Sequence, residues 1–445
     1  MVRISRSPVA RAVVALAGAS LFVTACGAGG GGGNDGGGAA AEGDTTGITG
    51  DTIKIGTHMP LTGVAAPGYS TIPEGQKAYL EYVNANGGVC GKQFEYVVRD
   101  DAYNPSQTSS VTNQLVLQDE IFAMIGGLGT PTHSAVVDFL NENEVPDLFV
   151  SSGALAWNQP EKNPYTFGWQ PNYTVEGKVL GKYIADTFPN AKVGLFLQGD
   201  DFGRDGAAGA RQFLEDQIVA EVRYTPGNTD VGPQIAELKA SGADLVIGFN
   251  VPAYTALSQL VAQRLQYKPQ WVYSNVGADA TLVGALLANF SKGAVKGQGA
   301  LEGIITTKYI PTVEEPENPW TQLFQKVWKE NGEKSSEPLN NFRLYGMSQA
   351  YTLVSAIASD CDNLTRQGIV ENIEQNGAEF EGPWLAPLEY SEESHRGISG
   401  VSVVQIEGGK PVKKSEVFTT DDGEGELEEY TEDPFTPDDD GIPNS

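Results

Sequence analysis

Short apolar runs rich in Val, Ile and Phe recur along the chain with little alternation of polar and apolar positions. They predict strands over Ile53–Thr57, Phe94–Asp100, Phe122–Gly126, Asp147–Val150, Lys192–Gln198, Glu221–Tyr224, Asp244–Phe249, Gln270–Ser274 and Gly303–Lys308. Segments with apolar residues at helical spacing fill most of the gaps. They predict helices over Glu74–Asn86, Gln107–Gln118, Thr132–Asn143, Thr174–Phe188, Gly206–Gln217, Pro233–Ala240, Ala253–Gln266, Pro319–Glu330 and Tyr345–Ser359. Strands without alternation are covered on both faces, and strands that alternate with helices build parallel sheets. The expected class is α/β. A Pro-bounded extended stretch, Asn163–Pro171, follows the fourth strand, and a fresh series begins at Thr174. Two more extended stretches, Gly303–Pro311 and Pro387–Tyr390, would be further crossings. The expectation is therefore two doubly wound parallel-sheet lobes joined by three crossover strands. Residues 51–171 plus 303–388 would form one lobe, and 172–302 plus 389–420 the other.

Both ends depart from this pattern. Arg3, Arg6 and Arg11 precede a short apolar core, Ala12 to Ala25, which reads as an export signal over residues 1–25. The core ends in Leu21-Phe22-Val23-Thr24-Ala25-Cys26, similar to a lipobox, so Cys26 is the expected lipidation site. An ordinary signal peptide with an incidental Cys is the alternative. Nine of the twelve residues from Gly27 to Gly38 are Gly, so residues 26–50 should act as a flexible tether. Residues 421–445 hold eleven acids and no Lys or Arg, which predicts a disordered tail.

Composition then removes whole classes of function. The 445 residues carry 57 acids against 29 bases, a net charge of −28, and such a surface repels nucleic acid. Three Cys and three His leave no Cys-rich zinc fold and little room for a histidine-built metal site, so neither metal nor cofactor is expected. No apolar run reaches the roughly 18 residues of a bilayer span. There is no Walker A sequence, G-x-S-x-G elbow, H-E-x-x-H or usefully spaced Cys–His pair. Binding is expected rather than catalysis.

Ligands of open parallel sheets sit beyond the carboxyl ends of the strands. Those positions hold His58 to Gly63 with the loop to Tyr69, then Gly126 to His133. They also hold Ser151-Ser152-Gly153-Ala154, Asp200-Asp201-Phe202-Gly203, Asn250 and Ser274-Asn275. Thr130 is the expected N-cap of a helix with Pro131 at its first position, and the free N–H groups from Gly129 onward would face a small anion.

Ile53–Gly63 (IKIGTHMPLTG), Tyr82–Gly91 (YVNANGGVCG), Arg99–Pro105 (RDDAYNP), Phe122–Thr130 (FAMIGGLGT) and Ser151–Ala154 resemble the leucine/isoleucine/valine-binding protein family. So do Asp200–Gly203 (DDFG), Gly227–Asp230 (GNTD) and Leu364–Arg366 with Gly368. These are type I periplasmic solute-binding lipoproteins of ABC importers. The resemblance runs in order from about Thr52 to Glu407. It implies that Thr130 binds a ligand carboxylate and that the Ser152-Gly153-Ala154 loop meets the same ligand. Tyr69 then lies near the aromatic position of the first loop, Phe202 where a Tyr is frequent, and Asn250 near a second aromatic position. Asn275 stands where amino-acid binders carry a Glu that pairs with the α-ammonium. An Asn cannot replace that ion pair, so the expected ligand has a carboxylate or amide end and an apolar or aromatic body.

The expected function is capture of a small organic molecule and its delivery to an ABC permease, by a monomer held outside the cytoplasm through its lipid anchor. A ligand sensor of the amide-binding type and an extracellular enzyme are the alternatives. With Cys26 lipidated, Cys90 and Cys361 remain in an exported protein and are expected to pair.

Overall fold

The computed structural model describes residues 43–443 except 298 and 300, so the signal segment, Cys26 and most of the Gly-rich tether lie outside the described residues. Two sheets with helices on both faces make the body of the molecule. In the first, Thr52–Met59 pairs in parallel with Gln93–Asp100 on one side and Ala123–Ile125 on the other. Asp147–Val150 and Thr166–Gly168 follow in order, also parallel. In the second, Val193–Gln198 lies between Ile218–Tyr224 and Leu245–Phe249, and Gln270–Tyr273 and Ile305–Lys308 continue the parallel series. Each lobe thus places its second strand on one side of its first and its third on the other. A crevice opens at that reversal, beyond the carboxyl ends.

The chain passes from the first sheet to the second after Gly168, returns after Lys308, and crosses a last time between the hairpin Leu388–Ile398 and the strand Gly400–Glu407. Asn172 starts the second lobe by accepting a hydrogen bond from the Val175 amide at 2.8 Å, capping helix Tyr173–Thr187. That helix packs against Asp201–Leu214 with almost no side chain between the backbones: a Cβ on Gly177 would lie 2.2 Å from the Gly206 carbonyl. Close packing also accounts for Gly203 against the Gln198 carbonyl, Gly206 against the Phe249 ring and Gly209 against the Thr174 carbonyl.

Several expectations are corrected. The helix at Asp201 begins five residues before the apolar pattern suggests, because Asp200 caps it through the Phe202 amide. The helix expected over Thr132–Asn143 is two pieces, Thr130–His133 and Val137–Glu142, and its cap is Gly129 rather than Thr130. Gly129 has φ +103°, a conformation that disfavours a side chain. Ile305–Lys308 belongs to the second sheet rather than the first lobe, since it pairs with Gln270–Tyr273. The second sheet is mixed: Gly400–Glu407, Lys410–Thr419 and Glu428–Tyr430 add to it antiparallel.

Both ends also join the fold earlier and later than expected. Ile48–Thr49 pairs with Thr52–Ile53, and Asp44 meets the buried Arg366 at 3.1 Å, so residues 43–50 are not tether. The acidic segment after Thr420 is no disordered tail among the described residues. Its start wraps the fully buried Lys178, whose ammonium donates to Thr420 Oγ1 at 2.6 Å and to the Gly425 and Gly423 carbonyls at 2.7 and 3.2 Å. Its end reaches the first lobe, where Trp320 Nε1 donates to the Phe435 carbonyl and the Tyr79 hydroxyl to the Gly441 carbonyl, both at 2.8 Å. Main-chain carbonyls supply most of these contacts, joined by Asp421, 3.2 Å from the Lys178 ammonium, and Asp422, which accepts from Asn158 at 3.1 Å, an order that the composition conceals.

Cys90 and Cys361 form a disulfide. It joins the turn after helix Ile72–Ala85 to the end of helix Asn341–Ala358, two helices of the first lobe that pack together.

Candidate ligand-binding cleft

The carboxyl ends of the two sheets face each other across a cleft that is shut in this structure. Tyr69 donates from its hydroxyl to the Val276 carbonyl at 3.2 Å, Gln198 Nε2 to the Tyr103 hydroxyl at 3.3 Å, and the Leu155 amide to Asp205 at 3.0 Å. Asn341 Nδ2 donates to Asp279 at 3.0 Å. Between the lobes lies a cavity of about 1150 Å³ of free space, its solvent-open mouth included. The volume open to a water molecule's centre is about 190 Å³, room for a small organic ligand.

Its floor is a cluster of hydroxyls. Thr130 Oγ1 and Ser152 Oγ are 2.7 Å apart, and the Tyr173 hydroxyl donates to Ser152 Oγ at 3.4 Å. Burial pushes the Tyr173 phenol up to about 12, so it stays a neutral donor. Tyr103, Tyr309 and Tyr345 add further rings, with Tyr345 donating to Gln170 at 3.0 Å. Leu128, Phe202, Val251 and Val276 supply the apolar wall. Phe202 is held by Tyr173, ring centroids 4.3 Å apart.

Beneath the second-lobe wall lies Glu176, on the first turn of helix Tyr173–Thr187 and fully buried. Ser274 Oγ donates to it at 2.7 Å, the Asn275 amide at 2.8 Å and Asn275 Nδ2 at 2.7 Å, and the Thr307 hydroxyl also donates. Burial pushes its carboxyl up from the usual range, and these hydrogen bonds oppose that shift. Both carboxylate oxygens are therefore occupied by the protein, and Asn275 spends its amide hydrogens inward.

Of the expected ligand residues, Tyr69, Gly129, Thr130, Phe202 and Asn275 line this cavity. Ser152, Gly153 and Ala154 line a smaller neighbouring hollow of about 210 Å³ with Trp157 and Asn172. Only Ser152 reaches the main floor, through Thr130. His58 and Asn250 line neither. His58 is fully buried between Asp101, 2.8 Å from Nδ1, and His133, 2.9 Å from Nε2. His133 in turn meets Asp147 at 2.7 Å. Both polar atoms of the His58 ring are used inside the first lobe, which corrects its assignment to the ligand. Asn250 is fully buried, donates to the Thr255 hydroxyl, and lies behind the wall that Val251 forms.

Tyr103, Gln170, Tyr173, Tyr309 and Tyr345 lie outside the expected set, although Tyr103 and Tyr309 follow the carboxyl ends of Gln93–Asp100 and Ile305–Lys308. Tyr103 stands in the RDDAYNP run with φ +58°, an unusual conformation for a Tyr. The others come from the crossings and from a helix whose apolar pattern reads as core. Among the described residues no group of three or more His, Cys, Asp or Glu is placed to hold a metal ion.

Residues 52–410 match the family model described as periplasmic binding protein. A Leu/Ile/Val-binding protein homolog 2 from Brucella abortus is 30% identical over 220 residues, which cover 48% of this chain and 58% of the relative, so the chain matches little more than half of that relative's length. A branched-chain amino acid ABC transporter protein from Thermus thermophilus with bound valine superposes with a TM-score of 0.71 at 22% identity, covering 84% of this chain and 98% of that one. A fatty acid ABC transporter substrate-binding protein from Thermomonospora curvata superposes with a TM-score of 0.73 at 23% identity, covering 86% and 96%. These likenesses establish the fold as the two-lobed type I architecture, and the match over most of the chain establishes that this protein belongs to the periplasmic binding protein family.

Proposed function

We propose that this protein is an extracytoplasmic solute-binding lipoprotein, anchored through Cys26, that shuts its lobes on a small organic molecule and hands it unchanged to an ABC permease. The ligand class is an amino-acid-like molecule, an amide, or an aromatic or aliphatic carboxylate. The observation that carries the reading is the closed cavity itself, apolar along its walls with hydroxyls gathered at one end, and spanned by hydrogen bonds between the lobes. Thr130 and Tyr173 would grip the polar end of the ligand, with Ser152 and the Gly153–Ala154 backbone supporting them. Tyr69, Phe202 and Asn275 would enclose the rest. Trapping between two hinged halves slows dissociation, because the lobes must part before the ligand leaves.

Free branched-chain amino acids fit poorly despite the names of the relatives. An α-ammonium needs a carboxylate, and an unpaired buried charge costs several kcal/mol. Glu176, beneath Asn275, already accepts from Ser274, Asn275 and Thr307, and the two carboxylates that line the cavity, Asp279 and Glu314, both accept from Asn341, away from the Thr130 end. Calorimetry of the purified full chain against amino acids, amides and carboxylates tests the reading. Binding of a carboxylate or amide with leucine inert is the expected result. Tight leucine binding would sink the assignment of Asn275, and silence across the panel would sink solute capture.

A further inference from the structure

The floor of the cavity offers hydroxyls, whereas another part of its lining is acidic. Asp279 and Glu314 both border the cavity. Asn341 Nδ2 donates to both, to Asp279 at 3.0 Å and to Glu314 at 3.2 Å. Two carboxylate oxygens that share one nitrogen are close neighbours, and here they come from different lobes. Asp279 caps helix Ala280–Phe290 of the second lobe, accepting from the Leu282 amide at 2.7 Å. Glu314 stands on the stretch that has crossed back to the first lobe, where the Val313 amide donates to Asn341 Oδ1 at 2.9 Å. Closing the cleft thus sets one negative charge beside another, with a single neutral amide between them.

Among the described residues no Lys, Arg or His pairs with either carboxylate. Lys308, which also borders the cavity, is taken by Glu315. Like charges this close repel, the more so where water is reduced, and a cation between them reverses the sign of the interaction. Thr306 is a second and independent sign of a polar occupant. It lines the same cavity, is 5% exposed, and its hydroxyl has no hydrogen-bond partner among the described residues. A buried hydroxyl left without a partner is costly, and a polar group on a guest would satisfy it. Thr306 and Lys308 share one face of their strand, and Lys308 reaches the residue next to Glu314, so this hydroxyl lies on the side of the strand that leads to the acids.

We infer that the site takes a guest with two unlike ends. A cationic nitrogen lies between Asp279 and Glu314, a carboxylate or amide oxygen meets the hydroxyls of Thr130 and Tyr173, and a spacer holds the two apart. Thr306 serves a polar atom of the same guest. This rests on the solute-capture reading and narrows it to a substrate class. An α-amino acid carries its ammonium beside its carboxyl and cannot serve both ends, whereas an ω-amino acid or its amide can. Because the two acids belong to different lobes, the same cation also draws the cleft shut.

Calorimetry of the full chain with straight-chain ω-amino carboxylates from aminobutanoate to aminooctanoate, with their amides, and with the same chains lacking the amine tests the inference. The best amino member should bind at least about tenfold tighter than its amine-free counterpart. Asp279→Asn keeps an oxygen for the helix cap, and Glu314→Gln keeps the side-chain size, so both variants should fold, which thermal melting checks. Each should weaken the amino member at least about tenfold more than its amine-free counterpart. Equal affinity with and without the amine, or variants that weaken both alike, overturns the cation site while solute capture stands on any compound that binds. Silence from every amino member while a simple carboxylate or amide binds does the same. Failure of every compound, the α-amino acids included, overturns both.

Discussion

Glu176 and Lys178 sit two positions apart on one helix, both without solvent exposure, and each is settled by different neighbours. Residues spaced by two point to different sides of a helix. Glu176 faces the ends of the second-lobe strands and takes its donors from Ser274, Asn275 and Thr307. Lys178 faces the C-terminal segment and takes its acceptors from residues more than 240 positions away. One buried charge builds the wall of the cleft, and the other fastens the end of the chain. The contrast shows that Glu176 is stabilised by neutral donors alone, whereas Lys178 combines carbonyl and hydroxyl acceptors with the Asp421 carboxylate at 3.2 Å, so each reports on a different part of the structure.

The largest effect should follow from Glu176→Leu, which strands buried donors on Ser274, Asn275 and Thr307. A loss of about 3–5 kcal/mol in urea unfolding is expected, with ligand binding abolished. A loss below about 1 kcal/mol would mean that the wall does not depend on that carboxylate. Lys178→Met should cost less, about 1–3 kcal/mol, because the freed carbonyls can turn to water as the segment lifts. Limited proteolysis should then cut within residues 421–430, a region that stays protected in the Glu176 variants. Equal protection in both would break the contrast.

The pH dependence separates the two further. Burial raises the folded carboxyl of Glu176 above its usual 4.5, so the unfolded chain gives up that proton first. The stability it contributes is complete below about pH 4.5 and is lost as pH rises through the higher folded value. Wild type should therefore lose ground against Glu176→Gln as pH increases across this window, as read from paired unfolding curves. A gap that widens in the opposite direction would contradict the burial. The smallest change is expected from ending the chain after Tyr430, which removes the Phe435 and Gly441 contacts and keeps the clasp on Lys178. Stability should fall by about 1 kcal/mol, with residues 421–430 still resistant to protease.

Nine of the ten parallel strands among the described residues were legible because Val, Ile and Phe crowd together when both faces of a sheet are covered, whereas Thr166–Gly168 is hidden in the Pro-bounded stretch that reads as a crossing. Lys410–Thr419 was not, since its half-exposed face mixes Lys and Glu with Val and Phe, although the Gly408-Gly409 turn before it is a hairpin signal. In the cleft, Thr130 and Phe202 could be found by standing at strand ends. His58 and Asn250 occupy the same kind of position, and their side chains turn inward to Asp101 and Thr255. Tyr173 and Tyr345 carry no local mark of exposure to a ligand, because the cavity that reveals them exists only once the crossings are in place. The composition of the acidic segment misleads for a related reason: its backbone carbonyls, with Asp421 and Asp422, meet partners far away in the sequence.

The staple between Cys90 and Cys361 bears on how the molecule is made. The first lobe waits for helix Asn341–Ala358 to leave the ribosome, and the second waits for the strands after Gly400, so neither half is a stretch of sequence that could be excised and refolded alone. A chain released early, anywhere short of its last few dozen residues, would hold an unfinished second sheet, with one sulfur partner still to come for any product that stops before Cys361.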